Sequence, residues 1–334
     1  MYSYPFEKHT PSVFVVGTPF QALCAVEAIR DLEIEDYQFY VVFCHDIRDS
    51  QTIKLVETFN IPYTIVDKYD DILLYKKRLL IFKRKAEGYI RAFVGNFFST
   101  MLYFWAIRSV SDNATIISLD DGTRTIQALK GDITCEQNRL NDIVVGLAVK
   151  WRKINLRKYF YTIYSDIDSR LFLCQPNNLS HVLLSDIDSK KNGVYFIGTN
   201  PFAYCEQNGL CEEQYYNLLK LSFRKVCSSY PQENKIYVPH GLDNDIYTKD
   251  ICKEYGFIYE RPDTIVELYL IQKKSYPIAS FGLSSTALLN IKKMFSLSLV
   301  ENICVKTPNG ISKKFAIIRD YYSKNGIQDI ILEV

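Results

Sequence analysis

The sequence predicts an α/β protein built from two facing Rossmann-like domains with a cleft between them. Three observations carry this expectation. Apolar strand-like runs alternate with helical runs in two separate halves of the chain, which implies parallel sheets covered on both faces. The 334 residues suffice for two domains of ordinary size. Polar loops follow several predicted strands at their C-terminal ends, where ligands bind in such sheets. The expected domains are 1–190 and 191–334.

The elements follow in order. Val13-Phe14-Val15-Val16 reads as a buried strand. Gly17-Thr18-Pro19-Phe20-Gln21 then opens a helix through Arg30. Thr18 suits the cap, Pro19 the first helical position, and Gln21 a capping box. Gln38 to Cys44 reads as a strand, Asp49 to Asn60 as a helix, and Tyr63 to Val66 as a third strand. Asp71 to Val110 reads as mostly helical, and Thr115 to Leu119 as a strand ending at Asp120-Asp121-Gly122. Residues 123–190 carry no clear pattern and are expected to include the domain crossover.

A second alternation starts at Val194-Tyr195-Phe196-Ile197-Gly198. A helix from about Glu212 to Ser229 and a strand from Lys235 to Pro239 follow. Ile265 to Gln272 reads as helical. The apolar run Tyr276 to Ser280 then hands over to a helix at Leu283-Ser284-Ser285-Thr286, and an α/β tail completes the chain.

Composition narrows the function. A hydrophobic content of 48% indicates folded cores, and a net charge of +2 gives no global drive toward nucleic acid. The 25 Tyr and 20 Phe suit sheet cores and surfaces on which rings stack. Nine cysteines show no CxxC pair and no zinc spacing, so reduced thiols in a cytoplasmic protein are expected. Met1 to Pro11 lacks the pattern of a signal peptide, and no apolar run has a membrane-spanning length.

Four post-strand loops carry chemistry. Ser284, Ser285 and Thr286 sit where a strand hands over to a helix. Backbone N–H groups and the helix dipole there favour an anion, and hydroxyls add donors, which is a way to hold a nucleotide phosphate. The competing reading is an ordinary serine cap. Asp120 and Asp121 place neighbouring carboxylates after an apolar strand, which suits one of them as a general base; a plain acidic turn is the alternative. His240, in the loop Pro239-His240-Gly241, could bind a phosphate and donate a proton as a leaving group departs, or be a structural loop histidine. Gly198-Thr199-Asn200-Pro201 is the fourth loop.

The chain resembles bacterial sialyltransferases, most closely glycosyltransferase family 52, the lipooligosaccharide and capsule sialyltransferases. Gly17-Thr18-Pro19-Phe20-Gln21 resembles that family's opening, and Asp120-Asp121-Gly122 its acidic motif. Phe196 to Pro201 is similar to its G-x-P loop, Tyr237-Val238-Pro239-His240 to its PHP motif, and Ser284 to Asn290 to its serine-rich phosphate motif. The resemblance implies a GT-B fold and an inverting transfer of a nonulosonic acid such as Neu5Ac. The donor would be a CMP sugar, the acceptor a galactose-terminated cell-surface glycan, and no metal or other cofactor would be required. It further implies that Glu212 or Glu213 could replace Asp120 or Asp121 as the base, and that Glu267 contacts the ribose hydroxyls. Gly241 departs from the family's His-Pro dipeptide and loosens the loop around His240.

Two other readings compete. One is a hexosyl- or glucosyltransferase on the same scaffold; the other is a non-enzymatic glycan- or membrane-binding protein. Asp166-Ile167-Asp168 and Asp186-Ile187-Asp188 are D-x-D sequences of the kind that chelate a divalent ion in other transferases, or else solvated acidic turns.

Two stretches combine cations with aromatic residues. Ile72 to Val110 holds Lys76, Lys77, Arg78, Lys83, Arg84, Lys85, Arg91 and Arg108 with Glu87 as its one acid. Leu147 to Tyr164 holds Lys150, Arg152, Lys153, Arg157 and Lys158 beside Trp151, Tyr159, Phe160, Tyr161 and Tyr164, with no acid. Such stretches suit an anionic membrane surface, and the expected location is the inner face of the bacterial membrane, peripherally attached. Solvated helix faces with the aromatic residues in the core, or a homodimer contact, are the competing readings. No nucleic-acid-binding signature accompanies the charge.

Overall fold

The computed structural model describes residues 4–67, 79–131, 139–182, 188–243, 245–296, 298–307, 310 and 313–333. The chain forms two compact units, Met1–Leu183 and Leu184–Val334.

The N-terminal unit runs β1 (Ser12–Val16), α1 (Pro19–Asp31), β2 (Tyr37–Phe43), α2 (Ile47–Thr58), β3 (Thr64–Asp67), a 3-10 turn (Leu79–Phe82), β4 (Tyr89–Val94), α3 (Thr100–Ser109), β5 (Val110–Ser118), α4 (Thr123–Leu129), α5 (Arg139–Trp151), β6 (Asn155–Thr162) and β7 (Leu173–Pro176). Its strands pair in parallel in the order β3-β2-β1-β4-β5-β6-β7. The direction of winding reverses between β1 and β4, and a crevice opens beyond the strand ends at such a reversal.

Fully buried strands need apolar residues on both faces, and β1 is buried at all five positions. Parallel register places Phe14 beside Phe39 and Phe93, and the three rings stack at 5.9 and 4.7 Å across β2, β1 and β4. Val13, Val15, Ala92, Val94 and Ile116 join a core with Leu102, Tyr103 and Ala106 of α3.

The expected long helix over Asp71 to Val110 is corrected. Residues 71–78 lie outside the described residues. The remainder holds the 3-10 turn, the central strand β4 and only then α3. Arg91 masks β4 in the sequence. It is 2% exposed, its Nε donates to Ser12 Oγ at 2.8 Å, and its Nη atoms donate to the carbonyls of Pro5, Glu7 and Thr10. Burial pushes its pKa down to about 10. Arg152 is likewise buried and donates to the carbonyls of Ile81, Ile107 and Val110 and to Asp112. Arg91 and Arg152 therefore pin the core and are not part of a cationic surface. Phe160, Tyr161 and Tyr164 are also core residues.

The C-terminal unit contains β8 (Asp188–Lys191), β9 (Val194–Ile197), α6 (Pro201–Asn208), α7 (Glu212–Ser229), β10 (Lys235–Val238), α8 (Asp245–Tyr255), β11 (Phe257–Tyr259), α9 (Val266–Gln272), β12 (Ser275–Tyr276), β13 (Ala279–Gly282), α10 (Thr286–Met294), β14 (Leu299–Lys306), α11 (Lys313–Lys324) and β15 (Gln328–Glu333). The main sheet is parallel, ordered β11-β10-β9-β13-β14-β15, with its reversal between β9 and β13; β8 and β12 form a separate small ladder. Phe196, Tyr237 and Tyr259 repeat the aromatic ladder of the first unit, at 5.9 and 6.0 Å.

Candidate active site

In the N-terminal unit the reversal point opens a cavity of about 390 Å³. Its lining includes Gly17, Thr18 and Gln21 after β1, Cys44 and Arg48 after β2, Asn96 and Ser99 after β4, and Asp121 and Arg124 after β5. They come from four strand ends, so the doubly wound topology gathers residues that are far apart in sequence.

Asp121 is the chemical centre of this cavity. Gln21 Nε2 donates to its Oδ1 at 2.7 Å, and Asn96 Nδ2 donates to its Oδ2. Both amides are oriented by the backbone. Gln21 Oε1 accepts from Gly17 N–H at 2.8 Å, and Asn96 Oδ1 accepts from Phe98 N–H at 2.7 Å. Thr18 caps α1 as expected, but Gln21 closes the turn on Gly17 rather than on Thr18. Gly95 is glycine because a Cβ there would collide with the Gln21 carboxamide. Gly122 takes φ +62°, a left-handed turn that ends the loop, and Asp121 N–H donates to Thr125 Oγ1. Burial raises the Asp121 pKa, opposed by Gln21, Arg124, Arg48 and Asn96. A carboxylate so placed holds a proton more readily than usual, which suits a general base.

Asp120 faces the other way. It has no exposed surface, and it accepts from Thr162 Oγ1 at 2.5 Å and Ile163 N–H at 2.8 Å, so it ties β5 to the end of β6. The expectation that it could act as a base is corrected: no substrate proton reaches a carboxylate buried against β6.

In the C-terminal unit the loops after β9, β10 and β13 surround the second reversal point. The first two touch: a Cβ on Gly198 would lie 2.7 Å from His240 N and 2.8 Å from Tyr237 Oη, so glycine is needed for this approach. Asn200 caps α6 by accepting from Phe202 and Ala203 N–H, with Pro201 in the first turn; Thr199 is half-buried between them and β9. His240 Nδ1 accepts from Leu242 N–H at 3.1 Å, which leaves the proton of the neutral ring on Nε2. In that tautomer Nε2 is the donor atom of the ring.

Gly241 does not leave this loop loose. Arg261 donates to the carbonyls of His240, Gly241 and Asp243 at 3.3 to 3.4 Å. The Asp243 carboxylate accepts from Tyr237 Oη and from Thr248 Oγ1. Sequence reading missed Arg261 and Asp243. Their positions on either side of β11 and α8 gave no periodic signal, although an Arg-Pro dipeptide just after a strand was a hint.

At the serine-rich junction, Ser284 adopts φ +53° and its N–H donates to Asn302 Oδ1 at 2.8 Å. That N–H is taken by the protein, contrary to its expected use at a phosphate. Asn302 is fully buried within apolar β14, a position no motif marked. Ser285 occupies the cap of α10 without a side-chain capping bond, so the ordinary-cap reading of its hydroxyl is also not met. Ser285 and Thr286 are half-buried at the helix start.

Glu267 is 4% exposed and accepts from Asn290 Nδ2 at 2.7 Å, which ties α9 to α10 and leaves little of the carboxylate open to a ribose. Burial raises its pKa. Glu212 and Glu213 are exposed in the first turn of α7. Asp166 and Asp168 are exposed on a turn after β6; the second D-x-D lies mostly outside the described residues. Among the described residues, no group of three or more His, Cys, Asp or Glu side chains could hold a metal ion.

No protein-family model matches the sequence, and no curated protein does. Solved structures do match over nearly the whole chain. The GT-B domain of a sialyltransferase from Photobacterium damselae is 12% identical with a TM-score of 0.54, covering 97% of this chain and 100% of that one. A UDP-N-acetylglucosamine 2-epimerase is 11% identical at 0.52, covering 97% and 83%. MnaA from S. aureus, solved with UDP, is 13% identical at 0.51, covering 97% and 84%. Two parallel-sheet α/β units and these likenesses give the chain the GT-B fold.

Proposed function

We propose that this GT-B protein is an inverting sialyltransferase-like glycosyltransferase. It moves a nonulosonic acid, such as Neu5Ac, from a CMP donor to a galactose-terminated glycan of a lipooligosaccharide or capsule. The observation that carries the reading is Asp121, a carboxylate of raised pKa clamped by two amides at an open cavity. In this reading Asp121 removes the acceptor hydroxyl proton, and the cavity takes the acceptor sugar. In the C-terminal unit, the Nε2–H of His240 and the hydroxyls of Ser285 and Thr286 meet the phosphate of CMP. Negative charge grows on that phosphate as the glycosidic bond breaks, so fixed donors there favour the transition state. No metal is assigned a role. The enzyme would work at the inner face of a bacterial membrane, where a lipid-linked acceptor is presented.

A hexosyltransferase on the same scaffold is the second reading, favoured by Gly241 in place of the proline of the resembling motif. One experiment separates the two: incubation with CMP-Neu5Ac and a lactoside in EDTA, alongside calorimetry with CMP and UDP sugars. Transfer, or slow release of CMP, supports the first reading. Tight binding of a UDP sugar with no affinity for CMP overturns it.

A further inference from the structure

Helix α5 carries an unusual surface. Ile143, Leu147 and Trp151 recur at intervals of four residues and are 58%, 55% and 55% exposed. They form one stripe along the helix. The 3-10 turn Leu79–Phe82 packs against α5 and adds exposed Leu79 and Leu80. Five large apolar side chains thus occur on neighbouring elements, an arrangement that isolated exposed residues do not produce.

The charge around this surface has one dominant sign. Arg84 lies over the Trp151 ring at 4.7 Å, and Lys83, Lys150 and Lys153 are exposed on the same segments. Lys85 follows, and with Arg108, Tyr40, Tyr89 and Trp105 it lines a separate cavity of about 330 Å³. Three acids occur on or beside these segments: Asp142 in the first turn of α5, Glu87 and Asp112. Asp112 is engaged by Arg152 Nε at 2.8 Å, with Arg84 at 4.0 Å, and Glu87 is exposed. Burial, and to a lesser extent the neighbouring Arg152, Arg108 and Lys83, lower the Lys85 pKa.

We infer that the face formed by Ile143, Leu147 and Trp151 of α5 with Leu79, Leu80, Lys83 and Arg84 docks on an anionic lipid surface. The apolar side chains enter the headgroup–acyl boundary, Trp151 sits at that boundary, and the cations meet lipid phosphates. Charge complementarity selects this occupant: a second copy of the chain would bring the same cations against one another. The inference specifies how the membrane-side reading of the preceding subsection is realised, and it stands apart from the transfer chemistry.

The test uses the full chain and vesicles of phosphatidylcholine with or without phosphatidylglycerol. The protein should sediment with the anionic vesicles at low salt and release at high salt. Lys83→Ala and Arg84→Ala should each weaken binding about fivefold. Leu147→Glu and Trp151→Glu should weaken it at least as much, and both sites are exposed enough to spare the fold, which circular dichroism checks. In a Trp105→Phe background the emission of Trp151 should shift to the blue on anionic vesicles. Equal binding to neutral vesicles overturns the inference, as does no binding, or an equal loss from Lys220→Glu in the other unit. A dimer in light scattering that Leu147→Glu dissolves assigns the face to a second copy and also overturns it. Vesicle binding without transfer to a lactoside would sink the transferase reading alone; transfer without vesicle binding would sink the docking face alone.

Discussion

If Asp121 is the base, its proton affinity should control the acid limb of the pH–activity profile. A base acts when deprotonated, so kcat/KM rises as pH rises through its pKa, and burial sets that pKa above the usual carboxylate value. Gln21 and Asn96 lower it again by donating to the ionised form. A hydrogen bond to a charged group contributes about 1.5–3 kcal/mol. One pKa unit is about 1.4 kcal/mol, so losing one donor should move the limb up by about 1–2 units. Asn96→Asp is the informative change. It keeps the acceptor for Phe98 N–H and replaces the donor by a like charge, so the limb should move at least that far. Gln21→Met should move it in the same direction. Asp121→Asn should lower kcat by about 100- to 10,000-fold at every pH, with CMP affinity retained. Initial rates from pH 4 to 9 on a lactoside acceptor, with CMP affinity by calorimetry, provide the assay. An acid limb unmoved by Asn96→Asp, or an Asp121→Asn enzyme within a few-fold of the parent, would refute the reasoning. A large loss in Glu213→Gln would instead transfer the role to α7.

Other outcomes follow from the same geometry. His240→Ala should reduce turnover much more than CMP affinity, and Arg261→Met should reproduce part of that loss because three loop carbonyls lose their donor; steady-state kinetics beside calorimetry check both. Gly198→Ala should displace the His240 backbone, lower kcat by tenfold or more and lower the urea midpoint as well, because the added Cβ meets backbone atoms. Ser285→Ala with Thr286→Ala should weaken CMP binding, since neither the cap geometry nor the fold requires the Ser285 hydroxyl. Arg91→Met should destabilise the N-terminal unit by about 3 kcal/mol or more in urea unfolding, because the buried Ser12 hydroxyl and three part-buried carbonyls lose their donors.

The alternation of strands and helices was legible where a run had one period and one chemistry. Helix α7 from Glu212 to Ser229 and strands β1, β9 and β10 are such runs. Legibility failed where a charged residue serves the interior. Arg91 made a central strand look like part of a basic helix, and Arg152 looked like surface, whereas the rings of the second basic stretch lie in the core as the competing reading had them. Burial of a guanidinium depends on carbonyls contributed by distant segments, and no local pattern encodes those.

The candidate site divides along the same line. Local sequence determined that short polar loops follow the strands, that Thr18 and Pro19 start a helix, and that Asp120 and Asp121 share one turn. Strand order decided the rest. Placing β4 beside β1 and β5 beside β4 brings Gln21, Asn96 and Asp121 within hydrogen-bond reach, although Gln21 and Asp121 are 100 residues apart. The pleat and the turn then give adjacent carboxylates opposite fates. Asp120 is sealed against β6 and Asp121 lines the cavity, because a sequence states which groups are present while only the packed sheet states which way each one faces.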